Sequence, residues 1–232
     1  MIALEALEVD GAGPYDAVLA PGARLGLIAA NEGLATRLLE AIAGARRHSG
    51  RVLVDGRPRR PRDVAFAPQE LDQVLFGRTA AEAIGPAGCL LAAAFGAEQL
   101  LGRPPQELSR GERRRLALAA AFGSQRPLLL LDRPTAGLDP QGQALFWQAA
   151  AQYAGALVLS LDHAAQAQRC SGLLAVPGVG GPLAGGPLSA ERQRLVRWPP
   201  DAAADLIWTV GGGMPTDARE EVERWRARRK RR

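Results

Sequence analysis

Two stretches of the chain hold residue types that can do chemistry together. One is Leu108-Ser109-Arg110-Gly111-Glu112, followed by three arginines and then Leu116-Ala-Leu-Ala. A hydroxyl, a glycine N–H and the start of a helix stand side by side there, a set suited to an anion. The other is Leu128-Leu-Leu-Leu-Asp132, an aspartate closing a continuous apolar run, with Asp139 following in Gly137-Leu138-Asp139. A carboxylate at the end of a buried strand is suited to helping hold a divalent cation. Upstream, the segment from Leu27 to Leu39 reads as strand, loop and helix, with Thr36 at the loop's end.

Elements on either side must hold these residues in place. Ile2–Val9, Ala17–Leu19 and Arg24–Ala29 read as strands, the last two separated by the Pro21-Gly22 turn. Thr36–Ala43 is helical by the spacing of Leu38, Leu39 and Ile42, and Gly44 ends it in the left-handed region. Arg51–Val54 is a strand closed by Asp55-Gly56, and Asp63–Ala67 is another. From Gln69 to about Pro105 the strands give way to Ala- and Leu-rich helical segments, Ala80–Ile84 and Leu90–Leu101. A longer helix runs from about Gly111 to Phe122. Leu128–Leu131 has the unbroken apolar character of a parallel strand buried on both faces. Gln143–Tyr153 is helical, Ala156–Ser160 a strand and Ala164–Arg169 helical. This alternation predicts an α/β fold with a largely parallel sheet. Residues 1–190 form the main domain, with a helical subdomain at about 70–122. Residues 177–189 are rich in Gly and Pro, and 191–232 form a C-terminal extension ending in a basic helix, Thr216–Arg232.

The pattern around Ser109, Asp132 and Asp139 resembles the ABC-type ATPases, whose signature L-S-G-G-Q is followed by a helix and an apolar strand ending D-E-P-T-x-G-L-D-P. Gly50-Arg-Val-Leu-Val-Asp-Gly56 and Val64-Ala-Phe-Ala-Pro-Gln69 resemble the family's early hairpin and the strand into its Q-loop, so the likeness covers essentially the whole chain. It implies an ABC-type P-loop NTPase fold: a mainly parallel core, an antiparallel β edge and a small helical subdomain. It also implies ATP and Mg²⁺, with Thr36, Gln69 and Asp132 around the metal. Ser109, Arg110, Gly111 and Glu112 would form the signature loop offered to a paired subunit's ATP, Asp139 would lie in the D-loop, and Gln69 would couple the site to a transmembrane permease. The segment Gln69 to Thr79 further resembles the energy-coupling-factor importers, which adds a substrate-binding membrane component as a partner. The implied location is the cytoplasmic face of the cell membrane, as a peripheral subunit.

Against that pattern several positions depart. The degenerate phosphate loop is Asn31, Glu32, Gly33, Leu34, Ala35, Thr36 and Arg37, and on G-x-x-x-x-G-K-[ST] Ala29 takes the place of the first glycine. Leu34 replaces its second glycine and Ala35 its lysine, and only Thr36 keeps its type. Lys230 is the only lysine in the chain. Arg37 is one residue off, and its branched head substitutes poorly for a compact ammonium. Glu32 adds negative charge beside the expected anion site. Arg133 stands where the family has glutamate, and a guanidinium is no base at neutral pH. Asp162 stands where the switch histidine is expected, with His163 one residue late; Asp162 suits an N-cap for the helix after it. Arg110 and Glu112 replace a signature Gly and Gln: the first adds charge toward a phosphate and the second opposes it. The chain's own site therefore has no catalytic residue in place, while the half offered to a paired subunit is mostly kept. The expectation is a non-hydrolysing ABC subunit paired with an active homologue. The alternatives are a nucleotide-independent scaffold or regulatory subunit, and a conventional ATP-hydrolysing importer subunit.

Composition narrows the field. The 232 residues are 47% hydrophobic and 23% charged, a globular balance. No apolar run reaches the roughly 18 residues of a membrane span. The start, MIALEALEVD, has neither a basic n-region nor an apolar h-region, so no export is expected. Two cysteines and two histidines, far apart, argue against a disulfide scaffold or a zinc site. Of the net charge of +5, seven positive charges fall in the last nine residues, which leaves −2 for the rest. A near-neutral body with a basic tail does not describe a nucleic-acid face; the tail suits the helix dipole or an anionic lipid surface.

Overall fold

In the computed structural model two five-stranded sheets pack around α1, and a helical layer joins the second sheet. The structure describes residues 1–29, 32–176 and 206–208. Strands β1 (Ile2–Val9), β2 (Ala12–Leu19), β4 (Ser49–Val54), β5 (Arg57–Pro58) and β10 (Leu206–Trp208) form an antiparallel sheet in the order β10-β2-β1-β4-β5. Strands β3 (Arg24–Ala29), β6 (Val64–Ala67), β7 (Leu128–Leu131), β8 (Ala156–Ser160) and β9 (Gly172–Val176) form a parallel sheet in the order β6-β7-β8-β3-β9. Among the described residues the α-helices are α1 (Glu32–Ala43), α2 (Ala80–Leu91), α3 (Arg110–Gly123) and α4 (Pro140–Gln152).

The period of two in each strand builds two cores at once. Leu128 and Leu130 of β7, with Ala156 and Val158 of β8, face α1 and the antiparallel sheet. Leu129, Leu131, Leu157 and Leu159 face the other way, against Phe122 of α3 and Phe146 of α4. Both strands are buried throughout, as the unbroken apolar runs predict. From α1, Leu34, Ala35, Leu38, Leu39 and Ile42 fill the first core. Gly44 ends α1 with φ of 85°, the left-handed conformation expected there.

Between β6 and β7 lies the helical layer. Here α2 is broken at Gly85, with φ of 68°, just before Pro86. Beyond the break its second half presses on α3. A Cβ at Gly88 would lie 3.1 Å from Ala120 Cα, and one at Gly123 would lie 2.5 Å from the Ala87 carbonyl oxygen. The predicted helix Leu90–Leu101 does not form as one element. Leu91 ends α2, and 3-10 turns follow at Ala93–Phe95 and Glu98–Leu100, because Gly96 adopts the left-handed region at φ of 60°. Ala164–Arg169 is likewise a 3-10 turn. Strand β10, part of the expected extension, pairs with β2 through Leu206 opposite Leu19. The stretch 177–189 and the basic helix 216–232 lie outside the described residues.

Candidate functional site

The parallel strands direct their C-terminal ends toward the start of α1, the place where this architecture puts ligands. Asn31 lies outside the described residues, and Glu32 is the first residue of α1. Leu34 and Ala35 are 8% and 3% exposed, so the two positions that differ most from the phosphate-loop pattern serve the hydrophobic core. Arg37 turns back on its own surroundings: Nε donates to the Gly33 carbonyl at 3.2 Å, and Nη1 lies 3.6 Å from Asp10. Tyr15 of β2 is buried in the first core, its hydroxyl has no hydrogen-bond partner among the described residues, and burial pushes its pKa up to about 12.

A chain of short hydrogen bonds runs across the strand ends. Thr36 Oγ1 donates to Asp132 Oδ2 at 2.7 Å, and Ser160 Oγ donates to Asp132 Oδ1 at 2.6 Å. The Arg133 amide donates to Ser160 Oγ at 2.7 Å, and Arg133 itself sits in the left-handed region at φ of 46°. Its side chain then meets Asp162, with Nε to Oδ1 at 2.7 Å. Thr135 Oγ1 donates to the other Asp162 oxygen at 2.7 Å, and Gln166 donates to Thr135 Oγ1 at 2.8 Å. This corrects the role expected of Asp162. It does not cap the following turn, whose N-cap position is the exposed His163; its carboxylate is held by Arg133 and Thr135. Among the described residues no group of three or more His, Cys, Asp or Glu side chains could hold a metal ion. The donor set expected for Mg²⁺ is Thr36 and Asp132, bonded to each other, and Gln69, which is half-buried.

The loop from Ser109 to Glu112, expected as the signature loop, is built differently. Ser109 caps α3: its Oγ accepts from the Glu112 amide at 3.3 Å while its own amide donates to Glu112 Oε2 at 2.8 Å. Such a reciprocal box satisfies two N–H groups that a helix start leaves unpaired. The Ser109 amide holds the Glu112 carboxyl below its usual pKa, and Arg103 adds to the effect. Glu112, expected to oppose an anion, therefore has a second task as half of the cap. Arg110 is exposed, and a Cβ on Gly111 would meet only the Gly137 carbonyl oxygen, at 3.7 Å. Asp139 is the N-cap of α4 and accepts from the Gly142 amide at 2.7 Å.

One residue that the motif comparison passes over ties these parts together. Arg114 is 2% exposed, and its guanidinium donates to the carbonyls of Gln69 at 2.6 Å, Pro134 at 3.2 Å and Arg133. Burial lowers its pKa, and Asp72 works against that shift. Helical periodicity would have found it, because Arg114 shares a face with the buried Ala117 and Leu118. Elsewhere in the helical layer Phe76 and Leu90 are 78% and 84% exposed, and no described helix is long and apolar enough to cross a membrane.

A family model described as ABC transporter matches residues 17–136. The energy-coupling factor transporter ATP-binding protein EcfA2 of Lactiplantibacillus plantarum is 45% identical over 82 residues, which is 35% of this chain and 26% of that protein. EcfA2 of Streptococcus pneumoniae is 43% identical over 82 residues, 35% of this chain and 28% of its own. The matched segment thus spans about a quarter of these curated relatives. Among solved structures, cbiO1 from Clostridium perfringens, part of the ABC transporter complex cbiONQ, has a TM-score of 0.65 at 18% identity, covering 75% of this chain and 84% of its own. The ATP-binding cassette MJ0796, a dimer bound to ADP and Pi, has a TM-score of 0.65 at 17% identity, covering 76% and 94%. The family match, which covers more than half of its length, places the chain in the ABC transporter family.

Proposed function

We propose that this chain is a non-hydrolysing ATP-binding-cassette subunit of a membrane transporter, paired with an intact homologue to which it offers Ser109, Gly111 and the start of α3. The observation that carries the reading is the Arg133–Asp162 ion pair at 2.7 Å, in the place where hydrolysis needs a carboxylate beside water and a histidine facing it. A guanidinium cannot take a proton from water at neutral pH. Ala35, buried in the core, brings no ammonium to the loop. Thr36, Gln69 and Asp132 are the residues that would hold Mg²⁺, which when bound would offset phosphate charge. Among the described residues there is no lysine to do the rest, so no hydrolytic step is assigned to this pocket.

The start of α3 supports pairing. Ser109, Arg110 and Gly137 are accessible at the surface, and α3 begins there with a complete cap. Phe76 and Leu90 give the helical layer an apolar surface suited to a permease, and the similarity to EcfA2 and to cbiO1 favours an importer of the energy-coupling type at the cytoplasmic face of the membrane. Purified alone, the chain should show no Mg-ATP hydrolysis. Together with the intact ABC subunit that co-purifies with it, it should support turnover that Ser109→Ala reduces. Turnover by the isolated chain would refute the reading. A complex indifferent to Ser109→Ala would favour a nucleotide-independent scaffold.

A further inference from the structure

Asp72 lies in the 3-10 turn Leu71–Val74 just after Gln69, and its side chain is 2% exposed. Two arginines of α3 share it: Arg114 Nη1 lies 3.5 Å from Oδ1, and Arg110 Nε lies 3.4 Å from Oδ2. Both are ion-pair separations, and Oδ1 accepts no hydrogen bond among the described residues. The two arginines differ sharply in surroundings, since the Arg114 side chain is 2% exposed and that of Arg110 is 65% exposed. An ion pair with one end largely in water is weak, whereas a buried carboxylate left alone is costly. Arg114 remains beside Asp72 whether or not Arg110 does. Arg110 can therefore leave without stranding the carboxylate.

We propose that Arg110 is an exchangeable phosphate ligand: it rests on Asp72 in the free chain and moves to the terminal phosphate of the ATP held by the paired subunit when the signature loop closes on it. The proposal rests on the reading above that this loop faces a paired subunit's nucleotide. A guanidinium presents parallel N–H donors that suit phosphate oxygens better than a carboxylate held at 3.4 Å. Arg110 is also the first residue of α3, at the positive end of the helix dipole. It supplies charge that glycine at this position cannot. Asp72 then sets how readily that charge is released, and its place next to Gln69 links the release to any movement of the turn.

The test uses the complex of this chain with its co-purifying intact ABC subunit, and Mg-ATP. Arg110→Gly should lower the ATPase rate of the complex about 100- to 1,000-fold, the usual effect of removing one donor to developing charge. Arg110→Lys should restore only part of it. Asp72→Asn should lower KM for ATP with kcat nearly unchanged, and only while Arg110 is present, so that the double variant matches Arg110→Gly. In the isolated chain the NMR signal of Arg110 Nε–H should shift on Asp72→Asn, a readout that needs no activity. If Asp72→Asn impairs folding, the exposed Arg110 variants carry the test. Full activity of Arg110→Gly in a complex that Ser109→Ala impairs would overturn the role of Arg110 and leave the pairing intact. Full activity of both variants would overturn the pairing as well.

Discussion

The first turns of α1 and α3 start from the same backbone resource, a set of unpaired N–H groups at the positive end of a helix, and put it to opposite uses. At α1, Leu34 and Ala35 enter the core. At α3, Ser109 and Glu112 close a capping box while Arg110 faces solvent. The difference teaches that a helix start becomes a binding surface or a packing surface through two or three side chains. The backbone alone does not decide it, and a motif can keep its geometry while losing its chemistry.

The sharpest way to break this comparison is to cut the link between the two regions. Arg114→Ala leaves Asp72 without its buried partner and removes a donor from three carbonyls, of which, among the described residues, only that of Arg133 keeps another, the Ala136 amide. Urea unfolding should register a loss of about 3–5 kcal/mol; a loss below about 1 kcal/mol would mean the regions are not joined through Arg114. Next comes Leu34→Ala. If α1 starts in the core, it should cost about 2–4 kcal/mol by the same measurement, and a neutral result would return Leu34 to the loop. Asp63→Asn serves as a control outside both regions. Asp63 accepts two hydrogen bonds from Arg57, at 2.6 and 2.9 Å, which together with the Arg60 amide push its pKa down from 3.8 to about 2. Because the folded-state pKa is depressed, its contribution is complete above about pH 4 and fades as the pH falls toward about 2. The variant should lose about 1–2 kcal/mol at neutral pH and show a shallower decline of stability across that acid window. The smallest effect is expected of Ser109→Ala, about 1 kcal/mol for a lost N-cap. Thermal unfolding should therefore show it as much milder than Leu34→Ala.

Elements with a strong local pattern were legible in the sequence. The bounds of β1, β3, β7 and β8 agree with the runs Ile2–Val9, Arg24–Ala29, Leu128–Leu131 and Ala156–Ser160. Where local preference and tertiary pairing compete, the reading falls short. β2 begins at Ala12, earlier than its apolar part, because Ala12 and Tyr15 pair with Val9 and Leu7 of β1. α4 begins at Pro140 rather than Gln143, a start that the Asp139 cap and a proline at the first position do signal. β10 is three residues long and finds its partner at Ala17–Leu19, a contact with no local trace. In the site, the substitutions at Arg133 and Asp162 were plain, but their ion pair spans 29 residues and belongs to the fold. Arg114 is marked in sequence only by its helical spacing to Ala117 and Leu118, and Asp72 not at all, because a buried charge outside an α-helix looks, in sequence, like any surface charge.

The crossing of α2 and α3 at Gly88 and Gly123 has a mechanical consequence. The two backbones approach closely there, with a Cβ on Gly123 only 2.5 Å from the Ala87 carbonyl oxygen. A displacement of the second half of α2 would therefore press on the end of α3, whose 14 residues span about 21 Å back to Ser109. In effect α3 is a push-rod, with a lock of two glycines at one end and a hydroxyl at the other.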